Sequence, residues 1–204
     1  MNLSDADRGR VEASVAAAER RTAARFSLVV AHEADDYAPY PMLWSAVIAL
    51  ILGDIVALAW PEVGTWWIVA LQAVLFIAAD PLLHRRPLRY RLVPARVKKG
   101  HARKLARLQF AALVHDRTPG DVGLLLFVAQ AERHVEILAD RGIDQHVDQA
   151  AWDKVVADFV ARVWAGEMAT ALIGAVDSCA AILERHFPAR PDAVDVAPDR
   201  ITEI

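Results

Sequence analysis

Two aspartates stand side by side at 35 and 36, within HEADDYAPY, and a third, Asp140, closes the stretch HVEILAD. Asp116 and Asp121 lie in DRTPGD, between them along the chain. Calcium or magnesium takes several oxygen ligands, and carboxylates on neighbouring loops supply them. Asp140, Asp35 and Asp36 are therefore the candidate metal ligands. The plain alternative is a set of acids that cap helices, end strands and keep loops solvated, with Asp140 paired to Arg141. His134 and Glu136, two residues apart on one strand face, are either a metal pair or ordinary solvent-facing alternation. Glu132 and Arg133 read as turn residues. The other histidines have no ligand spacing, and there is no glycine-rich phosphate loop, nucleophile elbow or zinc spacing. Cys179 is the single cysteine, so an intrachain disulfide is excluded. That suits a cytosolic setting, and its place among alanines suits a packed, inert thiol.

The elements that must hold these residues divide sharply by composition. Of 204 residues, 55% are hydrophobic, and most of the excess lies in two runs. PMLWSAVIALILGDIVALAW (41–60) and GTWWIVALQAVLFIAADPLL (64–83) each have the length to cross about 30 Å of hydrocarbon as a helix. Only Pro61, Glu62 and Val63 separate them, which forces an antiparallel hairpin. Trp44, Trp60, Trp66 and Trp67 fall near the run ends, where an aromatic belt belongs. Ala49, Gly53 and Ala57 repeat every four residues, a small-residue stripe that lets a helix approach, including one from a second copy of the chain. Asp54 and Gln72 have similar depth and read as intramembrane polar residues bonded to each other or across a dimer. Asp80, nearer the interface, is expected to reach headgroups or Arg85.

Residues 84–109 carry ten Lys and Arg and no acid. Arg85, Arg86, Arg89, Arg91, Arg96, Lys98 and Lys99 lead this run, and the turn at 61–63 has no basic residue. The positive-inside rule then puts both termini in the cytoplasm of a plasma membrane crossed twice. Directly after a span, such a run reads as contact with anionic lipid, at roughly 1 kcal/mol per basic residue near the surface, in preference to nucleic acid. The N-terminus, MNLSDADRGRVEAS, lacks the apolar core of a cleavable signal peptide.

LSDADRGRVEASVAAAERRT reads as a helix capped by Ser4 or Asp5, and ARFSLVVAH (24–32) as a strand. HARKLARLQFAALVH (101–115) reads as a helix whose inner face is Leu105, Leu108, Ala112 and Val114. VGLLLFVA (122–129) has the continuous apolar character of a strand buried on both faces. HVEILAD (134–140) alternates and pairs with it as a hairpin across AQAER. DQAAWDKVVADFVARVWAG (148–166) is amphipathic, with Trp152, Val155, Val156, Phe159, Val163 and Trp164 at helical spacing. EMATALIGAVDSCAAILERHF (167–187) is a further helix, ended by Pro188. The expectation is one α/β domain made of 1–40 and 101–188. It is split by the transmembrane hairpin at 41–83 and a basic juxtamembrane segment at 84–100, and 189–204 forms a flexible tail.

The stretch TPGDVGLLLFVAQAERHVEILADRGI, followed by DQAAWDKVVADFVARVWAG and EMATALIGAVDSCAAILERHF, resembles the TPM domain. The parts that carry the resemblance are Gly123 with its apolar strand, the Ala131-Glu132-Arg133 turn, the Val135–Asp140 strand, Asp140-Arg141-Gly142, Trp152 and Gly166. It is nearest to the bacterial membrane proteins in which an anchor interrupts the domain. The resemblance implies a small central sheet flanked by helices. For some members it also implies divalent metal binding, of calcium or magnesium here, and weak acid phosphatase activity. The functional expectation is a membrane-anchored module that binds or assembles an unidentified protein partner at the cytoplasmic face, with a weak metal-dependent phosphatase as the alternative.

Overall fold

The computed structural model describes residues 4–115, 122–189 and 202–204. It divides into two compact units, Met1–Ala34 with His101–Ile204, and Asp35–Gly100. The larger unit is a mixed α/β sheet domain. Its first helix, α1 (Asp5–Glu19), begins where the Ser4 hydroxyl accepts from Asp7 N at 3.1 Å, with Asp5 and Asp7 beside the positive helix end. Val11, Val15 and Ala18 form its buried stripe.

The sheet joins β1 (Ala24–Ala31), β2 (Val122–Ala129), β3 (His134–Ala139) and β4 (Thr202–Glu203) in the order β3-β2-β1-β4. β1 and β2 are parallel, in register from Ala24↔Val122 to Ala31↔Ala129. Their near-continuous apolar sequences follow from this central position, since helices cover both faces. β2 and β3 form the antiparallel hairpin, from Leu124↔Ala139 to Ala129↔His134. Residues 189–204 were read as a flexible tail, yet Thr202–Glu203 pairs in parallel with Val29 and Val30. Ile204 extends this pairing by accepting from His32 N at 2.7 Å. A strand of two residues is held by backbone bonds alone, and side-chain composition carries no sign of it.

Alternation along the strands sends their side chains to two cores. Phe26, Leu28, Val30, Leu124, Leu126 and Val128 face α1, α7 (Gln149–Trp164) and α8 (Met168–Glu184). Val29, Ala31, Leu125, Phe127 and Ala129 face α5 (Ala95–His115), through Ala102 and Ala106. The inner face of α5 is thus Ala102, Leu105, Ala106 and Phe110, and Leu108 is 57% exposed. Leu108 stands about 200° round the helix from Ala106, so it cannot share that face. α7 ends in a left-handed turn at Gly166 (φ +87°), where Gly166 N and Glu167 N reach back to Val163 O and Arg162 O.

The smaller unit contains α2 (Pro39–Ala59), α3 (Thr65–Leu83) and α4 (Arg86–Leu92). α2 buries Pro41, Ser45, Ala49 and Gly53, one residue per turn, while α3 buries none. A Cβ on Gly53 would lie 2.6 Å from Gln72 Nε2, so the absent side chain is what admits α3 at this level. Large apolar residues cover much of the outer surface of α2 and α3: Met42, Leu50, Ile51, Ile55, Leu58, Val69, Val74 and Ile77 are all exposed. Pro94 separates α4 from α5. Val93 ahead of it is extended (φ −87°, ψ 125°), the geometry that a following proline favours.

Candidate functional site

Three places concentrate side chains with chemistry: the apolar hairpin, the end of the sheet where the chain leaves for it, and the Asp140 turn. In the hairpin, two helices are long and apolar enough to cross a membrane, Pro39–Ala59 and Thr65–Leu83. The two deep polar residues part company there. Gln72 packs on Gly53 inside the hairpin, whereas Asp54 is exposed on the outer face of α2. Among the described residues no hydrogen bond joins them. Ala49 and Gly53 are buried within the hairpin, and Ala57 is partly so, which places the small-residue stripe on the α2–α3 seam. Asp80 turns to His84 (Oδ2 to Nδ1, 3.4 Å), not to Arg85, because a helix brings residues four apart together.

The basic segment is helical. Arg85, Arg91, Arg96 and Lys99 are exposed; the Arg86 side chain lies outside the described residues. Arg89 lies over the Tyr90 ring at 5.2 Å, and Lys98 Nζ donates to Tyr90 O at 3.0 Å. Tyr90 packs edge-on against Tyr37, which is 2% exposed, with ring centroids 6.0 Å apart. Two basic residues of the run are thereby held at Tyr90, one by its ring and one by its backbone carbonyl.

At the C-terminal end of β1, Gln130 N and Ala131 N donate to Ala31 O and His32 O. Glu132, 8% exposed, accepts from Ala34 N at 3.0 Å. The turn residues Glu132 and Arg133 thus do more than close the β2–β3 hairpin, since Glu132 also ties down the departing chain. Arg133 has φ +51° and lies over the Trp164 ring at 5.0 Å. Trp164, assigned from sequence to the buried stripe of α7, is 70% exposed. It stands about 120° round the helix from Trp152, a phase error visible in the spacing.

His134 and Glu136 are paired with each other and only partly solvated. His134 Nε2 donates to Glu136 Oε2 at 3.0 Å, both side chains are mostly covered, and Arg103 Nε of α5 lies 3.9 Å from the same oxygen. The link from Arg103 crosses from one element to another, which no local spacing reveals.

The Asp140 carboxylate is occupied by backbone. Oδ2 accepts from Gly123 N at 2.8 Å, and Oδ1 accepts from Ile143 N at 3.2 Å, capping the short α6 (Arg141–Asp144). Asp140 N in turn donates to Gly123 O. A Cβ on Gly142 would meet Val122 at 3.1 Å and Asp140 at 3.2 Å. The Asp-Arg-Gly sequence is therefore a cap in a tight corner. Burial, and then the nearby Asp140 charge, raise the Asp144 carboxyl above its ordinary range. Asp35 and Asp36, in the other unit, accept from Tyr37 N and Ala38 N and form local turns. Among the described residues no three His, Cys, Asp or Glu side chains gather where they could hold a metal ion. Asp140, Asp35 and Asp36 each accept from nearby backbone amides, and Asp116 and Asp121 lie outside the described residues. Cys179 is buried, which pushes its thiol up to about 12 and leaves it protonated and inert.

A family model described as the TPM domain matches residues 101–182. Among solved structures, the BA42 protein of the psychrophilic bacterium Bizionia argentinensis is similar in fold, with a TM-score of 0.62. The likeness covers 100% of this chain and 96% of that one, at 14% identity. A search among curated proteins finds no match. The matched residues contain β2, β3, α6, α7 and most of α8, with the Gly123–Asp140 corner at their centre, and the chain carries a TPM domain.

Proposed function

We propose that this is a membrane-anchored TPM-domain protein that binds or assembles a protein partner at the cytoplasmic face of the plasma membrane. In this reading α2 and α3 cross the bilayer as a hairpin, and both termini are cytoplasmic. The observation that carries it is the inverted surface of the hairpin. Leu58 is 82% exposed and Ile77 69%, and the buried seam is made of small residues. In water such a surface would be an aggregation liability; in lipid tails it is solvated. The ten Lys and Arg of residues 84–109, against none in the turn, support the orientation. A binding role is favoured over metal-assisted hydrolysis because Asp140 is committed to backbone amides.

Topology is tested by fusing reporters after Ile204 and within the turn at 61–63. A cytoplasmic reporter active only after Ile204, and an export-dependent one active only in the turn, are the expected results. The opposite pair would overturn the orientation. For the binding role, crosslinking in intact membranes should join the sheet unit to a specific protein. Hydrolysis of an aryl phosphate that calcium or magnesium stimulates and Asp140→Asn abolishes, in a folded protein, would replace it with an enzymatic role.

A further inference from the structure

The hairpin's exposed apolar residues are accounted for by the membrane reading, but the sheet unit has its own. Among its described residues the exposed large hydrophobics are Leu108 (57%), Trp164 (70%) and Ile204 (43%). Two of these three mark one end of the sheet. Ile204 accepts from His32 N, just past the end of β1. Trp164 is stacked by Arg133, whose turn is bonded to Ala31, His32 and Ala34. From this same end the chain leaves the unit, and only residues 35–38 precede α2 at Pro39.

We infer that this end of the sheet unit is a bilayer-docking surface, with Trp164 seated at the headgroup boundary and Arg133 turned to a lipid phosphate. The inference rests on the membrane-anchored reading. An indole has an apolar body and one N–H donor, the combination that favours the interface between tails and water. A guanidinium stacked on the ring face keeps its in-plane donors directed outward, where they match phosphate geometry. Among the described residues no carboxylate pairs with Arg133. The positive φ of Arg133 is set by a turn that Glu132 anchors from below, so the cation is presented by a rigid base. A second copy of the chain or a soluble protein would also cover an aromatic residue. The four-residue link to α2 favours the bilayer, because in the membrane-anchored reading it raises the effective concentration of lipid at this end of the unit above that of any untethered partner.

The test uses the full chain reconstituted at one copy per phosphatidylcholine–phosphatidylglycerol nanodisc. The wild type and Trp164→Phe are compared, so that the difference spectrum isolates Trp164. Phospholipids brominated near the top of the acyl chain should quench this difference emission severalfold. Aqueous iodide should quench it at least threefold less in discs than in detergent, and Arg133→Ala should weaken both effects. Difference emission that bromolipid leaves unchanged and iodide reaches equally in both media would overturn docking. Protection from iodide without bromolipid quenching would assign the residue to a protein contact and overturn it too. Trp44, Trp60, Trp66 and Trp67 remain in both proteins with the buried Trp152; a further Trp152→Phe change in both leaves these four to report on the anchor. If bromolipid fails to quench them, the membrane reading falls and docking with it; if they are quenched and Trp164 is not, docking alone fails.

Discussion

The sheet unit and the hairpin are built from similar apolar residues arranged inside out relative to each other. In the sheet unit Leu124, Leu125 and Phe127 have no exposure, and the surface is charged. In the hairpin the large side chains are outside, and the interior is Ser45, Ala49 and Gly53. Burial of large side chains away from water holds the first together. A helix pair in lipid gains nothing from hiding leucine and relies on close backbone approach. In the membrane-anchored reading the two units thus obey opposite packing rules, and substitutions should expose the difference.

The largest effect is expected from Phe127→Ala, with no exposure at the centre of the sheet, which should cost about 3–5 kcal/mol. Leu58→Ala on the outer face of α2 should stay within about 1 kcal/mol in lipid. Equal losses in denaturant titrations of lipid-reconstituted protein would break the contrast. Gly53→Val forces its side chain against Gln72 and should cost about 1–3 kcal/mol. Adding Gln72→Ala should recover part of that loss, read as a rise in melting temperature, because it clears the space the new side chain needs.

Asp140→Ala removes a cap and the tie to Gly123 and should cost about 1–2 kcal/mol. The loss should be the same with calcium and with chelator; a loss seen only with calcium would restore Asp140 as a metal ligand. The smallest effect is expected at Asp144. Its carboxyl is raised in the folded chain by burial and by Asp140. The folded state therefore holds a proton that the unfolded state releases. The stability from this group is full below the ordinary carboxylate pKa and is lost as pH rises through the raised value. Asp144→Asn should match the wild type near pH 3 and exceed it at pH 7 by no more than about 0.5 kcal/mol. A gain at pH 3 as large as that at pH 7 would sink the assignment.

Local chemistry was legible in the sequence; long-range geometry was not. The Ser4 cap, the VGLLLFVA strand and the alternation of HVEILAD depend on neighbours within a few residues, and each stands where the pattern put it. In α5 the spacing of Leu105, Leu108, Ala112 and Val114 suggests one face, but Leu108 lies opposite Ala106, Ala112 is exposed, and the Val114 side chain lies outside the described residues. Trp164, at helical spacing with the apolar residues of α7, is likewise exposed. The β4 pairing and the Arg103–Glu136 contact join elements distant in sequence, so no window could show them. Among the candidate ligands, Asp140 accepts from the amides of Gly123 and Ile143. A carboxylate that caps a corner and one that binds a cation have the same local sequence, and only the amide of Gly123, reached through the sheet, separates them.

The parallel pairing of β1 with β2 has a consequence for biosynthesis. β1 leaves the ribosome early, but the strand it must lie beside follows about 100 residues later, after both hairpin helices. At roughly 5–20 residues per second, that is a wait of about 5–20 seconds with both long edges of an apolar strand unpaired. In the membrane-anchored reading, α2 and α3 must enter the bilayer during the same interval. A nascent chain stalled before Val122 would carry the apolar hairpin and an unpaired, adhesive strand. Quality control should therefore find its substrate in truncated chains of this protein, well before any full-length molecule misfolds.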